Sequence, residues 1–295
     1  MTRHNIPVQP EKHVVDGFYD QQTGEVRIQL DLPVAIEGAT NCALMVDASG
    51  SMDAHFRKPL FGGLSEVEKF IHQAGKAISE LDSDHGVQVY LACLGDGTQV
   101  HDLGNHTQDG LEHLRIDLPK LGITLGGGTY LLPALKQAVK EIVVASGCAY
   151  GFIALVTDGR FADMDRIKVW ATDLAKKIAA GEHPLTKIVL IGFDDADADQ
   201  LEELDNLETG TDVDIFNALA VSTLQDAMQM LNSEAITGGL MIAPGGHLEV
   251  GGQAVKSFEG GLPQRIDTTI PAGLSSVTLV VDSGDEANRL EIALV

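Results

Sequence analysis

Between about residues 41 and 231, short apolar runs alternate with amphipathic helical stretches, and this alternation constrains the fold more than any other feature of the sequence. Near-continuous apolar runs are typical of parallel strands that are covered on both faces. Strands that alternate with helices in this way predict an α/β domain with a doubly wound, Rossmann-like, mostly parallel sheet. The predicted strands are Ala43–Val46, Val87–Leu94, Phe152–Val156 and Ile188–Phe193.

The stretches between these runs carry their apolar residues at helical spacing. Ser65-x-x-Glu68 is a capping-box signature, in which a serine side chain and a glutamate side chain satisfy the first free N–H groups of a helix. Pro133 suits the first turn of a second helix, where its missing N–H costs little. Further helices are predicted at Met164–Ile178 and Ser222–Leu231.

The two ends of the chain predict β-structure instead. Glu25–Leu32 alternates polar and apolar residues with period two, and the glycine-rich C-terminal part contains strand-like runs at Ser276–Val281 and Arg289–Val295. Neither end has enough strands for a stable sheet of its own, so we expect the two ends to pair with each other.

This pairing predicts a discontinuous domain organisation. Residues 39–234 form the α/β domain, and residues 1–38 and 235–295 together form a small β-sandwich. The alternative is a separate C-terminal β domain, with the N-terminal hairpin packed elsewhere.

Composition excludes several classes of function. The chain has 43 acidic and 20 basic residues, a net charge of −23, so its field repels nucleic acid and anionic membranes. No apolar run approaches the roughly 20 residues of a membrane span, and Met1–Pro10 lacks the apolar stretch of a signal peptide. The three cysteines are widely spaced, which argues against a disulfide framework and against a zinc site. The histidines His101 and His106 lie on a predicted loop and match no zinc-binding pattern. The expected location is the cytoplasm.

One motif carries metal-binding chemistry. Asp47-Ala-Ser49-Gly-Ser51 follows the first predicted strand of the α/β domain, at the strand end where doubly wound sheets bind ligands. Thr129 follows a run of three glycines, and Asp158 follows the strand Phe152–Val156. These residues offer only oxygen ligands, which hard divalent cations such as Mg²⁺ prefer.

Asp47-x-Ser49-x-Ser51, Thr129 and Thr157-Asp158-Gly159 together resemble the metal-ion-dependent adhesion site (MIDAS) of von Willebrand factor A (VWA) domains. The resemblance covers about residues 41–231, and the pieces occur in the order and on the elements that the family uses. The segment Leu201–Leu207 is also weakly similar to VWA proteins of bacterial tellurium-resistance systems.

The resemblance implies a role for each residue. Ser49 and Ser51 would coordinate Mg²⁺ (or Mn²⁺ or Ca²⁺) directly, and Thr129 would do so directly or through water. Asp47 and Asp158 would act through water and through hydrogen bonds to the hydroxyls. An Asp or Glu of a protein partner would fill the open coordination position. The implied function is metal-dependent protein binding and not catalysis.

Two alternatives remain open. A metal-dependent phosphohydrolase could use Asp47 as its nucleophile, and Arg160 would favour this hypothesis, although Ser49 stands where common Asp-x-Asp phosphatases have their second carboxylate. The chain could also be a structural subunit with a vestigial metal site.

The stretch from Asp194 to Asp214 holds ten carboxylates and no Lys or Arg. A second cation site near its start is conceivable, but a solvated acidic rim is the more typical arrangement. The four candidates are Asp194, Asp195, Asp197 and Asp199.

Overall fold

A computed structural model divides the chain into two compact units, one of them discontinuous: Ala39–Ile236, and Met1–Gly38 together with Thr237–Val295. The sequence placed the second boundary at 234/235, two residues earlier, and both boundaries lie outside the described residues. The structure describes residues 3–7, 14–30, 40–148, 150–211, 213–231, 241–243, 245–258, 262–263, 265–283 and 286–294.

The unit Ala39–Ile236 is a mixed α/β structure built on a six-stranded, mostly parallel sheet. Four of its five strand pairings are parallel, and only the pairing of Gly86–Leu94 with the edge strand Gln99–Thr107 is antiparallel. The four predicted runs form the four central strands. In spatial order the strands are β6 (Gln99–Thr107), β5 (Gly86–Leu94), β4 (Thr40–Asp47), β7 (Tyr150–Thr157), β8 (Leu185–Gly192) and β9 (Phe216–Ala220).

The two edge strands were not predicted. Gln99–Thr107 is polar, and the prediction of a loop around His101 and His106 is wrong because this stretch pairs with β5 along most of its length. An edge strand is covered on fewer sides than a central one, so it needs no continuous apolar run. Its side chains are accordingly exposed or half-buried throughout.

Helices cover both faces of this sheet. On one face, Ala43 and Met45 share a single core with side chains of α5, α6 and α7. Leu44 and Val46 alternate with them and are fully buried against the other face, where α2 contacts β4 and β5 and also contacts α8. The helices are α1 (Asp53–Phe56), α2 (Glu66–Ser79), α3 (Gln108–His113), α4 (Leu118–Leu121), α5 (Leu131–Ala138), α6 (Met164–Ala179), α7 (Ala198–Asp205) and α8 (Leu224–Met230).

The predicted helix signals have a structural counterpart. The Ser65 side chain accepts a hydrogen bond from the Glu68 N–H, and the Glu68 side chain accepts one from the Ser65 N–H, so both halves of the capping box are present at the start of α2. After α5 the chain continues as a π-helical segment, Val139–Val144. Among the described helices, none is long and apolar enough to cross a bilayer.

The second unit consists of antiparallel sheets. One four-stranded sheet joins both ends of the chain, because β3 pairs with β14 in a register that places Ile28 opposite Ile266. The strands of this sheet are β1 (Arg3–Asn5), β2 (Val14–Asp20), β3 (Glu25–Leu30) and β14 (Arg265–Thr269). The remaining strands of the unit are β10 (Met241–Ala243), β11 (Gly245–Val250), β12 (Gln253–Phe258), β13 (Leu262–Pro263), β15 (Ser276–Ser283) and β16 (Glu286–Ala293).

A buried tyrosine adds a second link between the two chain ends. The Tyr19 hydroxyl donates a hydrogen bond to the Pro271 carbonyl oxygen at 2.8 Å and accepts one from the Leu274 N–H at 3.1 Å. The Tyr19 side chain is fully buried, and loss of its hydroxyl removes both hydrogen bonds, each worth about 0.5–1.5 kcal/mol.

We therefore expect Tyr19→Phe to lower the free energy of unfolding by about 1–3 kcal/mol. The measurement is urea unfolding followed by far-UV circular dichroism. Tyr130→Phe is the control, because within the part of the chain that the structure describes Tyr130 forms hydrogen bonds through its backbone and not through its hydroxyl. Equal midpoints for the wild type and Tyr19→Phe would contradict the role given to this hydroxyl.

Candidate metal site

The first two pieces of the predicted site meet because β4 and β7 are parallel neighbours. Val46 lies opposite Val156, so Asp47 and Thr157 leave the sheet side by side at the carboxyl ends of the two strands. The Thr157 hydroxyl donates a hydrogen bond to Asp47 Oδ2 at 2.5 Å. The other carboxylate oxygen of Asp47 accepts one from the Ser49 N–H at 2.8 Å, which fixes the start of the next loop.

The two serines extend this arrangement towards solvent. Ser49 Oγ lies 3.0 Å from Ser51 Oγ, and Ser51 Oγ donates a hydrogen bond to Asp158 Oδ1 at 2.8 Å. Asp47, Ser49 and Asp158 are buried, whereas Ser51 is exposed. The result is a connected set of carboxylate and hydroxyl groups that opens to solvent at Ser51.

Thr129 reaches the same place from a third loop. Its Oγ1 atom lies only 2.6 Å from the position that a Cβ atom on Gly159 would take, so this hydroxyl lies against the backbone next to Asp158. The Thr129 carbonyl oxygen accepts a hydrogen bond from the Ala162 N–H at 2.9 Å. All five residues that the sequence singles out therefore come from three loops that meet at one edge of the sheet.

Backbone contacts hold two of these loops together. The Gly50 N–H donates to the Gly126 carbonyl at 2.8 Å, and the Gly126 N–H donates to the Ala48 carbonyl at 2.9 Å. A Cβ atom on Gly126 would lie 1.7 Å from the Cys93 carbonyl oxygen, which is far inside van der Waals contact. Only glycine fits at position 126, because a Cβ atom there would collide with this carbonyl oxygen.

Asp163 holds the start of α5, close to Thr129 in the sequence, and this role was not predicted. Its carboxylate accepts hydrogen bonds from the N–H groups of Leu131 and Leu132, at 3.1 and 3.0 Å, and so caps the start of α5 immediately after Thr129. Asp163 is buried. Nothing local in the sequence signals this role, because the capped helix lies some thirty residues earlier in the chain.

Without a cation, burial in this site disfavours the charged forms of its two carboxylates. Burial raises the pKa of Asp47 to about 6, against the lowering effect of its hydrogen bonds to Thr157 and Ser49. Burial also raises the pKa of Asp158. A cation beside these carboxylates would favour their charged forms, so the electrostatics of the site suit a metal ion.

The donor set also fits a hard divalent cation. Three hydroxyls and two carboxylates supply only oxygen, and the exposure of Ser51 leaves room for water or a ligand. In the described part of the chain, no cluster of three or more His, Cys, Asp or Glu side chains is arranged to hold a metal. The candidate site differs from such clusters because most of its side chains are hydroxyls.

The acidic residues that follow β8 have other partners. Asp194 Oδ2 lies 3.1 Å from His55 Nε2, and the Asp197 carboxylate accepts the N–H groups at the start of α7. Asp197 Oδ2 also pairs with Arg160 Nε at 3.1 Å, so Arg160 is engaged in an ion pair. Asp195 and Asp199 are exposed.

Comparison with known proteins identifies no family. No family model matches the chain, and no curated protein matches it. Among solved structures, the pilus adhesin SpaC from Lactobacillus rhamnosus GG is 14% identical with a TM-score of 0.43, and the alignment covers 94% of this chain and 47% of the adhesin. An uncharacterized membrane spanning protein from Vibrio fischeri is 19% identical with a TM-score of 0.24, covering 66% of this chain and 98% of that protein. This chain thus spans less than half of the adhesin, and both scores are too low to support an argument.

The close approach at Gly126 gives a direct test of the loop contacts. We expect Gly126→Ala to destabilise the α/β unit by at least about 2 kcal/mol, because the new methyl group collides with the Cys93 carbonyl. Gly127→Ala is the matched control, since the nearest atom to its Cβ is 3.9 Å away. Urea unfolding followed by the fluorescence of Trp170, the single tryptophan, measures both variants. If the two variants unfold alike, the close contact is not a constraint.

Proposed function

We propose that the unit Ala39–Ile236 is a VWA domain whose MIDAS binds a divalent cation, with Mg²⁺ as the first candidate, and that the bound ion holds an acidic side chain of a partner protein. The observation that carries this proposal is the hydrogen-bonded set Asp47–Ser49–Ser51–Asp158, with Thr129 beside it. The strand order supports it, since β6-β5-β4-β7-β8-β9 corresponds to 3-2-1-4-5-6 in a doubly wound sheet.

Each residue has a distinct task in this proposal. The hydroxyls of Ser49, Ser51 and Thr129 would hold the ion, while Asp47 and Asp158 orient these groups and balance its charge. The bound ion supplies an electrophilic centre that an incoming carboxylate can coordinate. Because only neutral hydroxyls would contact the ion directly, and the two carboxylates would act through water, the ion would stay electrophilic towards that ligand.

The net charge of −23 does not rule out an acidic partner. At physiological ionic strength, charges separated by more than about 8 Å are largely screened. The ion and its immediate neighbours therefore dominate the local contact.

The three cysteines suit a reducing compartment, the cytoplasm, because all of them are buried as free thiols.

Two observations favour binding over phosphoryl transfer. Asp47 is fully buried, and both of its carboxylate oxygens accept hydrogen bonds, so neither oxygen is available as an exposed nucleophile. Arg160, which would have to stabilise a phosphoryl group, pairs with Asp197 instead. Turnover of p-nitrophenyl phosphate with Mg²⁺ that is lost in Asp47→Asn would favour the hydrolase instead.

Metal binding is the first test. We expect the wild type to bind Mg²⁺ or Mn²⁺ in isothermal titration calorimetry and to unfold at a higher temperature when the ion is present. Ser51→Ala and Asp47→Asn should each weaken binding by about tenfold or more, because each removes an oxygen or a charge from the site. Ser51 is exposed, so its variant should fold normally.

Asp195→Asn is the matched control for metal binding, because it removes an exposed carboxylate from the acidic stretch and leaves the candidate site intact. Its affinity for the ion should equal that of the wild type. Binding that is lost in Asp195→Asn and kept in Ser51→Ala would place the ion in the acidic stretch, and the proposal would then be wrong.

Partner capture distinguishes a working site from a vestigial one. A pull-down from the source cell should recover a protein with the wild type in Mg²⁺, and should fail with EDTA or with Asp47→Ala. A vestigial site predicts the same recovery in all three cases.

A further inference from the structure

The turn between α1 and α2 displays two large apolar side chains with no cover from the described part of the chain. Leu60 and Phe61 are 99% and 103% exposed. The next most exposed large apolar side chain in the described ranges is Val169, at 73%. Large apolar groups lose favourable burial when water surrounds them, so full exposure of an adjacent Leu and Phe requires an explanation beyond chance.

One backbone hydrogen bond closes this turn, and an ion pair lies at its start. The Gly62 N–H donates to the Pro59 carbonyl at 3.0 Å, which closes a four-residue turn with Leu60 and Phe61 at its tip. Lys58 Nζ lies 3.1 Å from Oε1 of Glu68, whose side chain is fully buried. A preorganised turn loses little conformational entropy on binding, so its apolar side chains are well suited to a partner.

His55 lies between the candidate metal site and the turn in the sequence, and its ring contacts the start of α2 and the loop after β8. His55 Nδ1 lies 2.6 Å from Glu66 Oε2, and the opposite ring nitrogen lies 3.1 Å from Asp194 Oδ2. His55 follows Ser51 by four residues, and Leu60 follows His55 by five. Leu60 therefore follows Ser51 by nine residues, and because an extended chain spans at most about 3.6 Å per residue, its Cα atom lies within about 32 Å of that of Ser51.

The charge of this segment differs from that of the rest of the chain. Residues 54–64 contain Arg57 and Lys58 but no Asp or Glu, in a sequence with more than twice as many acidic as basic residues. The two cations pair with Asp53 and Glu68, so the segment is locally close to neutral. An acidic partner therefore meets less repulsion here than it would on a typical surface of this chain.

We propose that the Leu60–Phe61 turn is the apolar half of the partner interface, and that the partner is a peptide segment with both an acidic and an apolar part. The acidic side chain would reach the metal site, and large apolar side chains within roughly nine residues of it would pack on Leu60 and Phe61. This inference rests on the proposed function, because the metal provides the acidic half of the contact.

The probe is a phage-displayed library of random dodecapeptides, selected on the wild-type chain in millimolar Mg²⁺. Selected peptides should combine Asp or Glu with nearby large apolar residues, and fluorescence anisotropy should show that their binding is lost in EDTA. The double variant Leu60→Ser, Phe61→Ser should bind them at least about tenfold more weakly, whereas Val169→Ser, an exposed apolar residue on α6, should match the wild type.

Calorimetry with Mg²⁺ alone separates the two proposals. Unchanged Mg²⁺ affinity in the double variant, together with lost peptide binding, supports the apolar half of the interface. Peptides that require Mg²⁺ and Ser51 but bind the double variant normally would overturn it and leave the proposed function standing. No Mg²⁺ binding by the wild type would contradict the proposed function first.

A second copy of this chain or a lipid surface could cover the turn instead of a peptide, and each would give a distinct result. If sedimentation velocity shows a wild-type dimer that the double variant abolishes, the turn contacts a second copy of this chain. If vesicles of phosphatidylcholine sediment with the wild type and not with the double variant, the turn enters a lipid surface. Either result would overturn the peptide-segment proposal.

Discussion

The parallel pairing of β4 with β7 is the constraint on which the candidate site depends. With Val46 opposite Val156, Asp47 and Thr157 meet at the sheet edge, and their 2.5 Å hydrogen bond follows directly. A slip of one residue would turn the side chains of one strand to the other face of the sheet. Both strands are almost fully buried on both faces, so their apolar side chains fix this register. Core packing therefore positions the polar groups at the edge.

A second level of support comes from backbone groups. The contacts of Gly126 with Ala48, Gly50 and Cys93 set the distance between the first loop and the loop that carries Thr129. Asp163 then fixes the helix that begins after Thr129. These contacts hold the hydroxyls near one another at the cost of burying the Asp47 carboxylate, which is why its pKa is raised. A cation beside Asp47 would favour its charged form.

The sequence predicted the parts of this arrangement that local patterns record. Continuous apolar runs marked the four central strands, and the capping box at Ser65 marked the start of α2. It did not predict the edge strand Gln99–Thr107, whose polar residues need little cover, nor the strand Phe216–Ala220 at the other edge. Asp163 and the contact of Gly126 with Cys93 were also missed, because they join residues that are more than thirty positions apart and no local pattern reports such a contact.

The polar site and the apolar turn lie on one chain segment, because Ser51 and Leu60 are nine residues apart. His55 lies between them and joins Glu66 at the start of α2 to Asp194 after β8, and its ring packs edge-on against Phe193 at 5.2 Å. In the proposed interface, the metal contact and the apolar contact would reinforce each other, because the second would form at a high effective concentration once the first is made. A single carboxylate on a metal ion would discriminate poorly between acidic proteins, so in that interface the apolar contact would provide the selectivity.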